Sequence, residues 1–301
     1  MELWIPITIA AAFLQNLRSA LQKHLKGSLG VTGASFVRFG FGFPIAILYV
    51  TALHFMTGRA FPSLSLEFCA WAMVGGVAQI AATIVLVHMF TLRNFAVGTA
   101  YSKTEPVQAA IFGFLILGER ITTGAVWAIV VGVMGVMLIS VAHMPLSWRN
   151  LVAALFGRTA LTGILSGALF GISAVAYRSA ALSLAGPDPL MQAAVTLAVV
   201  TTFQTAIMIV WMAATDPGEF GRVARAWRSS ALVGLAGVVG SACWFTAMAM
   251  QPVAYVRALG QVELIFTFAS AIFIFKEKIN RLEVVGCLLI VGGILTLLAF
   301  R

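Results

Sequence analysis

The chain has 301 residues, of which 61% are hydrophobic and only 10% charged, with Lys and Arg outnumbering Asp and Glu by 19 to 10. A soluble domain carries roughly 25% charged residues, so this chain lacks the charge to coat a water-facing surface, and its apolar excess must face lipid. The basic residues are scattered in short turns between apolar runs, which fits control of membrane topology and not a nucleic-acid surface.

A helix needs about 20 apolar residues to cross the hydrocarbon core. Ten such segments are predicted, over 4–22, 33–56, 67–91, 94–117, 122–143, 159–182, 188–214, 229–250, 253–275 and 281–300. The first, opening MELWIPITIA, carries an acid and no basic leader, and reads as a retained span. Gln15 and Asn16 lie within it at a depth where lipid contact is costly, so they are expected to face the bundle interior. The stretch 144–158, MPLSWRNLVAALFGR, mixes aromatic and aliphatic residues with Arg and reads as an interfacial helix. Gly163, Gly167 and Gly171, four apart, form a smooth strip for close helix approach. Cys69, Cys243 and Cys287 all lie in apolar runs and read as small hydrophobes, not disulfides or metal ligands. The expected organisation is therefore all-α and polytopic: a first five-helix unit over 1–143, an interfacial linker over 144–158 and a second five-helix unit over 159–301.

Basic residues at helix ends and turns fall twelve on one side of the membrane and four on the other, with Arg18 among the first group and Arg178 among the second. The positive-inside rule then puts both termini outside the cytoplasm.

Shifting the chain by 158 residues lays its second half on the first. Ala96 meets Ala254, Glu105 meets Glu263, Glu119 meets Glu277, and Gly135 meets Gly293. Acids are rare here, so two matched glutamates weigh more than matched apolar residues. Five spans per copy is an odd number, so the copies must point in opposite directions. Inverted repeats build secondary transporters with the substrate site between the halves near the midplane.

The stretch from Glu105 to Gly135, EPVQAAIFGFLILGERITTGAVWAIVVGVMG, resembles the signature of the drug/metabolite transporter superfamily, EamA type. The matching features are Pro106, the turn Gly118-Glu119-Arg120, and the spaced Gly132 and Gly135. The second copy departs from them, with Leu264 in place of Pro106 and Lys276-Glu277-Lys278 in place of the Gly-Glu-Arg turn. The resemblance implies a ten-helix inverted-repeat carrier acting as a monomer in a membrane, of the bacterial inner-membrane kind, with no cofactor and no metal. It implies export of amino acids, their derivatives or other amphiphilic metabolites, coupled to protons or exchange. Uptake or exchange of a small organic solute is the alternative.

Ionisable groups at membrane depth are costly and usually face a cavity or a partner. The candidates for substrate binding or coupling are Glu105, Glu263, Arg38, Tyr101, Lys103, His88, Trp244 and Gln261. Either glutamate would take a proton or a cationic group, while Arg38, Lys103 or Arg257 would hold a carboxylate or phosphate. The same groups serve equally well as mutual pairs that merely lock helices. Arg257, near a helix end, is expected to snorkel. It shares a face with Gln261, four residues on, as Tyr101 does with Glu105. Lys103 points toward a neighbouring helix. Trp244, with Phe245, Tyr101 and Tyr255, would wall a cavity. His88 is a candidate switch or a packed histidine. Pro106, inside the predicted fourth span, would free a carbonyl and kink the helix. No GxxxxGK, HExxH or GxSxG motif is present, which weighs against a pump, a zinc protease or a serine hydrolase. No ring of like charge suggests a channel.

Overall fold

A computed structural model describes residues 2–89, 102–141, 158–186, 188–266 and 280–299. Among them the regular elements are all helices: α1 Trp4–Leu25, α2 Val31–Gly40, α3 Phe43–Thr57, α4 Leu66–Met89, α5 Glu105–Leu117, α6 Thr123–Val141, α7 Arg158–Ser183, α8 Pro189–Thr215, α9 Gly218–Arg225, α10 Trp227–Met250, α11 Val253–Leu259 and α12 Arg281–Ala299. The expected interfacial helix over 144–158 falls almost wholly outside the described residues.

Five helical stretches are long and apolar enough to span a bilayer unaided: Val31–Thr57, Leu66–Met89, Leu161–Ser183, Pro189–Thr215 and Trp227–Met250. Their outward faces invert the soluble pattern, with Leu48, Phe55, Val210 and Leu232 all exposed. Helix α1 is less apolar because one stripe of it is polar. Thr8, Arg18 and Gln22 are buried along with Trp4, Ala11 and Leu25, at the spacing of one helical face. The molecule is an all-helical polytopic membrane protein.

The halves share their helix boundaries. Val31–Thr57 and Pro189–Thr215 are offset by 158 residues, and so are Thr123–Val141 and Arg281–Ala299. The related segments run in opposite directions. Arg59, past the end of α3, pairs with Asp188 at the start of α8 at 2.8 Å. Conversely, Gly30, at the start of α2, donates its N–H to Glu219, past the end of α8. The α2–α3 stretch is therefore antiparallel to its own repeat.

The halves interlock. Helix α1 packs on α10, and α7 packs on α4, so each half lends its first helix to the other's third. Helices α6 and α12 pack as a symmetric pair. A Cβ on Gly135 would lie 2.5 Å from the Gly286 carbonyl oxygen, and one on its counterpart Gly293 would lie 2.8 Å from that of Ala128. Only glycine permits backbones this close, which is the small-residue packing of membrane helices. The glycine strip of α7 does the same for α5: Gly167 faces Ser102 and Gln108, and Gly171 faces Ala109 and Phe112.

Three predicted spans are interrupted. The second breaks at Phe41–Gly42, where Pro44 occupies the first turn of α3 and cannot supply the N–H that would continue the helix. The fourth has a turn at Lys103–Thr104, and the ninth has one at Gly260–Gln261. Under the 158-residue shift these last two overlap, one residue out of register. Pro106 is thus not a mid-helix kink. It sits in the first turn of α5, where its missing N–H has no helical partner to lose.

Candidate functional site

The corresponding breaks bring the two glutamates to the junction between halves. Glu105 opens α5, and Glu263 lies in the first helical residues past the turn after α11. Each is met by a base from the opposite half. Lys103 Nζ donates to Glu263 Oε2 at 2.6 Å, and Arg257 Nε lies 3.1 Å from Glu105 Oε1. Glu263 Oε2 also accepts from Gln15 Nε2 at 2.7 Å, and its carbonyl oxygen accepts from Asn16 Nδ2 at 3.5 Å. Helix α1 therefore turns Gln15 and Asn16 inward, as their polarity demanded.

Local backbone explains why these groups are available. Around the second break the backbone tightens to three-residue hydrogen bonds, from Gln261 N to Ala258 O and from Glu263 N to Gly260 O. A side chain at Gly260 would lie 2.5 Å from the Trp244 ring. The glycine thus lets the indole of α10 slide under the break. Above that indole, Arg257 sits with its guanidinium carbon 4.4 Å from the ring centroid, a cation–π contact in a desolvated setting. Arg257 is 8% exposed, so it does not snorkel. The expected Arg257–Gln261 helical face is also lost, because the helix ends between them.

The remaining candidates divide. Gln261 is buried against Gly132 of α6, and neither side-chain polar atom has a hydrogen-bond partner among the described residues. Trp244 is buried with its indole N–H likewise unpartnered. Arg38 is buried in α2 and donates to Thr83 Oγ1 at 3.2 Å. His88 is exposed in the last turn of α4. Tyr101 lies outside the described residues. The Tyr255 hydroxyl accepts from the Thr122 N–H at 3.2 Å, at the start of α6. Phe245 stacks on Tyr177, with centroids 4.5 Å apart.

Sequence reasoning missed a buried polar network. Tyr177 Oη donates to Gln79 Oε1 at 3.1 Å, and Gln204 Nε2 donates to the same oxygen at 3.0 Å. Gln79 and Gln204 are amide side chains deep inside long apolar helices, and the cost of burying them there was the available signal. Arg18 and Arg178 were read as surface topology markers, but both turn inward. Arg18 is 5% exposed. Arg178 pairs with Glu119 of the Gly-Glu-Arg turn and donates to the Met248 and Gln251 carbonyls at the end of α10. Removing both from the tally leaves the charge bias with the same sign.

What can this arrangement do? Two acid–base pairs, crossed between halves at two helix breaks, make a charged seam that protonation or a charged solute would open. Among the described residues no cluster of three potential metal ligands exists.

Comparison with known proteins agrees with this architecture. The chain is 32% identical over 80 residues to the Probable magnesium transporter NIPA1 of Arabidopsis thaliana, a match covering 27% of this chain and 23% of that protein. The match thus spans under a quarter of that relative's length. A solved crystal structure of a protein with 16% identity superposes with a TM-score of 0.70, covering 99% of this chain and 97% of the other, and shows a shared fold. The EamA-like transporter family matches residues 2–141 and 157–299, one match in each half. With both halves accounted for, the chain belongs to the EamA-like transporter family.

Proposed function

We propose that the protein is a secondary-active carrier that moves a small organic solute by alternating access, an amino acid or similar amphiphilic metabolite being the substrate class that suits a site with both acids and bases. One observation carries this reading. The pairs Lys103–Glu263 and Glu105–Arg257 each join opposite halves, at corresponding breaks in equivalent spans. Rocking one half against the other would part both pairs, and a zwitterion entering the seam would replace them charge for charge. Broken helices at a repeat interface are where carriers of this design hold substrate and coupling ions. Export with proton or exchange coupling follows if either glutamate takes up the proton that frees its base.

A magnesium reading, suggested by the NIPA1 relative, fits less well. Mg²⁺ binds through oxygen ligands, one or two carboxylates among them, whereas both glutamates here are already met by cations. The deciding experiment is counterflow in proteoliposomes. Vesicles preloaded with unlabelled solute should accumulate labelled solute transiently, with saturation. Flux that tracks conductance without saturation or exchange would refute the carrier.

A further inference from the structure

Two buried arginines make no ion pair among the described residues. Arg38 of α2 is 6% exposed and Arg18 of α1 is 5% exposed. Neither lies within ion-pairing distance of a carboxylate among the described residues. Arg38 satisfies one of its five N–H donors through Thr83. Arg18 Nε is buried without a hydrogen-bond partner. The two side chains converge on one spot of α10: a Cβ on Gly237 would lie 3.3 Å from Arg38 Cγ and 3.6 Å from Arg18 Cδ.

Beside Arg38 is a cavity between α2, α4, α8 and α10, lined by Gln79, Thr201, Gln204, Ser241 and Phe245 among others. Apart from Arg38 itself, its polar wall is neutral. Gln79 and Gln204 are tied to each other and to Tyr177, and no carboxylate lines the space. By contrast, the seam at Glu105 and Glu263 is balanced acid for base. Among the described residues the unpaired positive charge of the interior is therefore concentrated at Arg38, with no carboxylate acting on it, and at Arg18, on which Glu263 acts only at longer range. A buried cation without a counter-charge is strongly unfavourable, so the site calls for an anion that the described part of the chain does not supply.

We propose that Arg38 and Arg18 form an anion seat, reached through this cavity, for the carboxylate or phosphate group of the transported solute. The guanidinium fork matches both oxyanions in geometry. The assignment rests on the carrier reading and narrows its substrate to solutes bearing such a group.

The test uses the purified full chain in neutral detergent, with thermal unfolding read against glutamate, succinate, inorganic phosphate, dimethyl succinate and phosphatidylglycerol. A ligand that binds only the folded state raises the midpoint with occupancy. At least one soluble oxyanion should stabilise the protein, dimethyl succinate should not, and Arg38→Gln and Arg18→Gln should each weaken that ligand by about tenfold or more. Arg38→Lys should retain part of the affinity. Should a Gln variant fail to fold, Gly237→Leu, which fills the spot between the arginines, and the acid-against-ester comparison on the wild type decide instead. Stabilisation by none of the soluble oxyanions, equal stabilisation by ester and acid, variants within twofold of wild type, or stabilisation by phosphatidylglycerol alone would each overturn the seat. The two readings fail separately. Selective binding of the acid without counterflow leaves the seat and removes the carrier. Counterflow of solutes lacking any anionic group, unaffected by Arg38→Gln, leaves the carrier and removes the seat.

Discussion

At the level of single residues, Glu105 and Glu263 combine burial, a base from the other half and equivalent positions in the repeat. Neutralising either one keeps the shape of its side chain but removes the charge that holds Lys103 or Arg257. Glu105→Gln and Glu263→Gln are expected to change the rate or pH dependence of counterflow between about pH 5 and pH 8, while yield and monodispersity in detergent stay near wild type. Wild-type behaviour of both variants across that range would remove the coupling role. The candidacy of both acids was legible in the sequence, because an acid is expensive in an apolar helix. Their partners were not. The Glu263–Lys103 contact joins residues 160 apart in sequence, and no local pattern encodes which helices a fold will bring together. Arg257 was misjudged for a related reason. Snorkelling assumes that the nearby helix end is at the interface, whereas α11 ends inside the protein.

Among the elements, the long spans with uniform apolar character were read to within a few residues, because length and hydropathy alone define them. The breaks were not, since a two-residue turn scarcely changes mean hydropathy. The placement of Pro106 gives a direct check. In a mid-helix position, replacing it would remove a kink and stabilise the helix by about 3 kcal/mol. In the first turn of α5, where Pro106 is buried, Pro106→Ala should bring no such gain, and thermal unfolding should show a midpoint at or below that of the wild type. Helix α9 supplies the opposite case. Its Glu219 is 1% exposed, accepts from the Gly30 N–H and pairs with Arg222. That hydrogen bond, and a second to Asp216, raise the Arg222 pKa above its usual value. Glu219→Ala would strand the Gly30 donor at the start of α2 and should cost about 1–3 kcal/mol. A smaller loss than about 0.5 kcal/mol would show that water takes over the bond.

For the molecule as a whole, the antiparallel relation of α2–α3 to α8 puts the turn after α3 and helix α9 on opposite faces of the membrane. In a background lacking Cys69, Cys243 and Cys287, Ala60→Cys should label from outside intact cells with an impermeant maleimide. Ala224→Cys should label only after the membrane is opened. Labelling of both from one side would contradict the inverted arrangement. Which of the two faces is outside follows from the positive-inside reading alone, and two of the arginines in its tally serve the interior.

The exchange of first helices between halves has a consequence for how such a chain is assembled. Severed between α6 and α7, neither fragment has its own partner for the groove left by the missing helix: α4 would expose the surface that α7 covers, and α10 the surface that α1 covers. Co-expressed fragments should therefore be found together and singly expressed ones degraded. A lone ancestral fragment of this type would have had to insert in both directions in one membrane, so that each copy found a mate facing the other way.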